Sequence, residues 1–213
     1  MTDVLAAIKE SVVSGKYKEI EDIVQQAVDA GVDLNRIIDE ALISAMDVVG
    51  KRFADGDIYV PEMLVSARTM KLGLELIKPL LGSAEAENRG TILMGTVKGD
   101  LHDIGKNLVT MMLEGAGFKV IDLGVDVKID DLIETLKREK ADILGLSALL
   151  TTTMPEMQKV IETLQSEGLR DQVKVLVGGA PIDQKFAEQI GADGYGEDAV
   201  EAVQLARLLV AAK

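Results

Sequence analysis

Histidine occurs once in the 213 residues, at position 102, within Asp100-Leu101-His102-Asp103-Ile104-Gly105. An imidazole serves near neutral pH as a metal ligand or a proton carrier, and a carboxylate two residues away can fix which ring nitrogen holds the proton. Hydroxyls cluster later, in Ser147-Ala148-Leu149-Leu150-Thr151-Thr152-Thr153, and glycines in Gly178-Gly179-Ala180 and Asp193-Gly194-Tyr195-Gly196. Glycine allows a flat or bulky ligand to approach the main chain. Taken singly, each feature is ordinary. A lone histidine commonly sits in a core or on a surface, Gly-Gly makes a strand-to-helix turn, and Ser or Thr caps a helix. Their chemistry depends on whether the fold gathers them.

The pattern of apolar residues says that it does. From Thr91 onward, short apolar runs alternate with amphipathic stretches. The runs predict strands over Thr91–Val97, Lys119–Leu123, Asp142–Ser147 and Val173–Val177, with a weaker fifth at Asp193–Tyr195. Helices are predicted over Lys106–Leu113, Asp130–Arg138, Pro155–Leu164, Gln184–Ile190 and Ala199–Leu209. Such alternation implies right-handed crossovers and a parallel sheet covered on both faces, an α/β fold. Ligands of such sheets bind outside the carboxyl ends of the strands, where the chemistry-bearing loops lie.

Residues 1–81 read as helices only. Leu5, Ile8 and Val12 mark the first, and Ile20, Ile23, Val24, Ala27 and Val28 the second, stopped by Gly31. Ile37, Ile38, Ala41, Leu42, Ala45, Met46 and Val49 mark a third that begins near Asp33. Met63, Ala67, Met70, Leu74, Ile77 and Leu81 form the stripe of a fourth after Pro61. Two domains are therefore expected, 1–85 helical and 90–213 α/β, joined by a linker over Gly82–Gly90.

Asp-x-His-x-x-Gly, then 41 residues, Ser-x-Leu, then 28 residues, and Gly-Gly make one spaced pattern, filled by Asp100, His102, Gly105, Ser147, Leu149, Gly178 and Gly179. It resembles the cobalamin-binding signature shared by the corrinoid half of methionine synthase, adenosylcobalamin mutases and the small corrinoid proteins of methyltransferase systems. The segment Tyr59-Val60-Pro61-Glu62-Met63-Leu64 is similar to the helical cap of the methyl-transferring members. The resemblance covers nearly the whole chain and matches the small corrinoid proteins best. It implies a four-helix bundle cap followed by a flavodoxin/Rossmann-like, five-stranded cobalamin-binding domain.

The resemblance also assigns residues. His102 is expected as the lower axial ligand of cobalt in a base-off/His-on corrinoid, with Asp100 as its partner and Thr153 completing the relay. Asp103, Ile104 and Gly105 are expected beside the cofactor. Ser147, Leu149, Thr151, Gly178 and Gly179 are expected around its nucleotide tail, together with Gly194 and Tyr195, and Tyr59 and Met63 on the cap side. The implied function is a methyl carrier: cobalt(I) accepts a methyl group from a substrate-specific corrinoid methyltransferase, and a second methyltransferase passes it to an acceptor in one-carbon metabolism. A reductive activase would restore oxidised cobalt. The chain is then a cofactor subunit rather than a complete enzyme, and the linker a hinge.

Composition narrows the field. Lys plus Arg number 23 against 36 Asp plus Glu, a net charge of −13, which argues against nucleic acid and anionic membranes as partners. There is no cysteine, hence no disulfide, thiolate-bound zinc or Cys-ligated iron–sulfur cluster. No run approaches the ~18 apolar residues of a membrane span, and the N-terminus lacks a leader pattern, so a cytoplasmic protein is expected. Alternatives within the same signature are a cobalamin-dependent regulator or light sensor and the small subunit of an adenosylcobalamin mutase. The regulator would bring a DNA-binding module, the mutase subunit would not need residues 1–81, and the form of cofactor that co-purifies distinguishes both from a methyl carrier. A flavin-based electron carrier leaves the histidine unexplained and has few aromatic residues to stack on a flavin, at 3% of the chain.

Overall fold

A computed structural model describes residues 2–80 and 89–211, which form an N-terminal helical unit and a C-terminal α/β unit. The expected linker falls on 82–90, of which 82–88 lie outside the described residues, as does Leu81 of the fourth apolar stripe.

In the helical unit, α1 (Thr2–Val13) and α2 (Ile20–Asp29) bury Ile8, Val12, Ile20, Val24 and Ala27. The third expected helix is longer and less regular than its apolar pattern suggests. It starts as α3 (Leu34–Arg36), capped by the Asp33 carboxylate on the N–H of Arg36 at 3.0 Å, and ends as α4 (Ser44–Ala54). Between them, Ile37–Ile43 winds as a π-helix, with Ile37, Ala41, Leu42 and Ile43 buried. The last helix, α5 (Val60–Ile77), carries Pro61 in its first turn, where a missing N–H costs nothing. The Glu62 carboxylate accepts the N–H of Tyr59 at 3.1 Å, and Met63, Ala67, Met70 and Ile77 are buried.

The α/β unit has five parallel strands, β1 (Thr91–Thr96), β2 (Lys119–Asp122), β3 (Ile143–Ser147), β4 (Lys174–Gly178) and β5 (Gly194–Gly196), in the order β2-β1-β3-β4-β5. Helices α6 (Ile104–Gly115), α7 (Ile129–Glu139), α8 (Met154–Ser166), α9 (Gln184–Ile190) and α10 (Ala199–Ala211) connect or follow them. β1 is buried along its whole length, whereas β2, an edge strand, exposes Lys119 and Asp122. That contrast is what distinguishes a central parallel strand from an edge. The weaker fifth strand expected at Asp193–Tyr195 is β5, shifted by one residue, and Glu197-Asp198 continues the chain toward α10. Gly178 pairs with Gly196, not with Gly194.

Among the described residues, no helix is long and apolar enough to cross a membrane.

Candidate functional site

From β1 the chain runs outward to β2 on one side, and β3, β4 and β5 extend on the other, so strand order reverses between β1 and β3. The loops after these two strands part there and open a crevice. They are held together by one side chain. Asp100, 0% exposed, reaches from the β1 loop to the β3 loop. Its Oδ2 accepts the N–H groups of Leu149 at 2.8 Å and Leu150 at 3.2 Å and lies 2.7 Å from the Thr153 hydroxyl. That hydroxyl is also 2.9 Å from the Leu150 carbonyl, so two acceptors share its proton. Oδ1 accepts the N–H of His102 at 3.1 Å and is 2.7 Å from its ring Nδ1. Burial alone would push the carboxyl up. The bonds from the Leu149 N–H, the Thr153 hydroxyl and the His102 ring and N–H outweigh it, holding Asp100 well below the usual carboxylate range.

An ionised carboxylate only accepts hydrogen bonds, so Nδ1 must be the protonated ring nitrogen. The neutral imidazole then keeps its lone pair on Nε2, and its side chain is 51% exposed. Around it stand apolar side chains that have no cover: Ile104 is 85% exposed, Leu101 71%, and Leu149 and Leu150 are exposed as well. Exposed apolar surface concentrated beside a polar ligand atom marks a binding face. Gly105 adds space, since a Cβ there would meet nothing within 4 Å. Among the described residues, no group of three or more His, Cys, Asp or Glu is arranged to hold a metal ion. One imidazole cannot retain a bare cation. It suits a metal that arrives inside its own macrocycle and needs a single axial nitrogen, with the apolar side chains left to meet the ring. The donor set therefore fits a corrinoid.

The structure brings Asp100, His102, Leu149 and Thr153 into one hydrogen-bonded cluster. Asp103 stands just outside it, bonded to the Asn107 amide at 3.1 Å. Ser147, at the end of β3, pairs with Gly178, and its carbonyl accepts the N–H of Val97 at 3.0 Å. Thr151 is exposed, and neither Ser147 nor Thr151 caps α8; Thr153 occupies the N-cap position. Gly179, at φ +134°, packs on the β3 loop so closely that a Cβ would lie 1.9 Å from the Ala148 carbonyl oxygen. Its glycine is thus required by the protein's own backbone. Gly194 and Tyr195 lie within β5, back from the loops. Burial, then the charges of Glu197, Glu201 and Asp183, push the Tyr195 phenol up. Tyr59, exposed, and Met63, buried, belong to the helical unit, and the cluster is complete without them.

Sequence reasoning missed a second anchor. Lys106, buried on α6, ion-pairs with Asp122 at the end of β2 and donates to Oδ1 of the Asn107 side-chain amide at 2.9 Å. This fixes the orientation of the Asn107 amide, which in turn holds Asp103. The signal that could have found this anchor is a lysine in the first turn of α6.

Fold and site together define a parallel α/β protein that presents one oriented imidazole at its switch point, beneath an uncovered apolar face. Two family models, each described as a B12 binding domain, match residues 90–204 and 4–78. The chain belongs to the family of B12-binding corrinoid proteins. It is 42% identical to a corrinoid protein of Desulfitobacterium hafniense, over 97% of both chains. With dimethylamine corrinoid protein 1 of Methanosarcina acetivorans it shares 45% identity over 90% of this chain and 92% of the other. Among solved structures, the methanol:cobalamin methyltransferase complex from Methanosarcina barkeri contains a chain that superimposes with a TM-score of 0.89 and 32% identity, over 99% of this chain and 81% of that one.

Proposed function

We propose that this protein is the corrinoid methyl carrier of a methyltransferase system, with His102 as the lower axial ligand of a cobalamin bound base-off. The observation that carries the reading is the Asp100 clamp, which fixes the His102 proton on Nδ1 and leaves Nε2 as a donor. When bound, the corrinoid supplies a cobalt able to take a methyl group from one partner enzyme and yield it to another. The chain's own residues hold and tune that group. His102 would offer the nitrogen, Asp100 accepts its Nδ1 proton, and Thr153 with the Leu149 and Leu150 N–H groups supplies the other Asp100 oxygen. Leu101, Ile104, Leu149 and Leu150 exclude water from one face of the ring. Ser147 and Gly178 end β3 and β4, and Thr151 and Gly179 lie in the loops that follow, where the nucleotide tail would lie.

On this reading the partners are a substrate-specific methyltransferase, an acceptor methyltransferase and a reductive activase; the similar solved structure of a methanol:cobalamin methyltransferase complex supports the first. The helical unit, matched as a B12 binding domain over 4–78, is taken as the cap. Relatives named for dimethylamine and trimethylamine set the first donors to try.

The test is electron paramagnetic resonance of the cobalt(II) holoprotein, made with protein labelled with nitrogen-15. The axial reading expects a nitrogen splitting that changes from a triplet to a doublet pattern on labelling. A splitting indifferent to the label would mean the vitamin's own base stays bound, and the reading would fall. Methyl transfer from dimethylamine or trimethylamine, with the cognate methyltransferase added, then tests the carrier role.

A further inference from the structure

We infer that Asp126, in the loop between β2 and α7, is a positioning residue for the Asp100–His102 pair; this rests on reading His102 as the axial ligand. Among the described residues, only Asp126 (φ +52°) and Lys140 (φ +50°) adopt a left-handed backbone without being glycine. Lys140 has an evident reason, because it ends α7 as a left-handed cap. Asp126 ends no helix. Its conformation instead turns two of its groups onto one dipeptide in the neighbouring loop. Its Oδ1 accepts the N–H of Gly99 at 2.7 Å, and its own N–H donates to the Asp100 carbonyl at 2.9 Å.

The backbone that carries the Asp100 side chain is thus gripped from both sides by one residue. A third bond, from the Asp100 N–H to the Val97 carbonyl at 3.1 Å, completes the hold. Along the same seam, the N–H of Thr96 bonds the Gly124 carbonyl and the N–H of Val127 bonds the Thr96 carbonyl, each at 3.0 Å. The β2–α7 loop therefore lies along the β1 loop and fixes its course. The clamp needs this rigidity because its two oxygens have different tasks. Oδ1 serves His102 and Oδ2 serves the β3 loop, so a rotation of the 99–100 backbone sacrifices one set for the other. Asp126 touches neither His102 nor the β3 loop, and acts only through Asp100.

Three substitutions separate the carboxylate from the backbone. Asp126→Asn keeps an acceptor and tolerates the left-handed conformation; Asp126→Gly accepts the conformation but has no acceptor; Asp126→Ala loses both. The full chain, with its histidine labelled with nitrogen-15, gives a single imidazole in the nuclear magnetic resonance spectrum, read without cofactor. The Asn variant is expected to keep the wild-type ring-nitrogen shifts of the Nδ1-protonated tautomer. The Gly and Ala variants are expected to show averaged shifts of two tautomers, faster exchange of the Gly99 amide hydrogen, and ~10-fold weaker cobalamin binding. The Gly variant should share these changes even where its thermal unfolding matches the wild type, which a merely structural role would not produce. Wild-type shifts and affinity in the Gly and Ala variants would overturn the inference. Changes confined to Ala would also overturn it, because strain alone would then explain them. Failure of the axial-ligand reading shows separately, in the wild-type cobalt(II) spectrum, while the cofactor-free experiment still reports on Asp126.

Discussion

A fully buried carboxylate is stable only when its oxygens are supplied with donors, and Asp100 draws them from both sides of the crevice. Because its folded-state pKa lies below the ordinary carboxylate value, the group contributes stability above a pH of about 4 and loses it progressively as the pH falls further. Asp100→Asn turns an amide N–H₂ toward donors and removes the charge. It is expected to lower stability at neutral pH by about 2–3 kcal/mol, with the gap to wild type narrowing below a pH of about 4. Urea unfolding at several pH values measures this, and a gap that stays constant into acid would show that ionisation is not the source. Asp100 and His102 were legible in the sequence from side-chain type and spacing, and Thr153 only through the family resemblance. The Leu149 and Leu150 N–H donors and the Asp126 grip were not legible. Backbone groups carry no residue signature, and Asp126 reads as an ordinary polar loop residue until the loops are placed side by side.

At the level of elements, the strands were the most readable feature. A parallel strand buried on both faces must be apolar throughout, as in Ile92-Leu93-Met94, and that run has no helical period. The switch point itself was not in the pattern, since strand order is a property of pairing. Nor was the π-helix at Ile37–Ile43, whose apolar residues suit a regular helix equally well. Two glycines of the site have different reasons to exist, and they can be told apart. Gly179→Ala forces a Cβ into the Ala148 carbonyl and should cost about 3 kcal/mol in thermal or urea unfolding. Gly105→Ala, in the first turn of α6 with open space before it, should leave the cofactor-free protein as stable or up to about 1 kcal/mol more so. The same change should weaken cobalamin binding, followed by titration of the absorbance spectrum. Undiminished affinity in the Gly105→Ala protein would place the corrin away from that space.

For the molecule as a whole, the Asp100 cluster belongs to one unit. Its members Thr96, Asp100, His102, Leu149, Leu150 and Thr153 all lie in the α/β unit. A chain of residues 89–213 should therefore fold and keep the wild-type nitrogen shifts of the His102 ring. Loss of those shifts in a fragment with intact circular dichroism would show that the helical unit shapes the ligand loop. The full 213-residue chain carries a net charge of −13, which opposes association between copies. The position of the clamp in the chain has a further consequence. Every donor to Asp100 has been translated by Thr153, before β4 and β5 leave the ribosome. The residues that orient the imidazole are therefore all made before the last two strands, and the loop that carries half of them is closed only when Gly178 and Gly179 come to rest on Ala148.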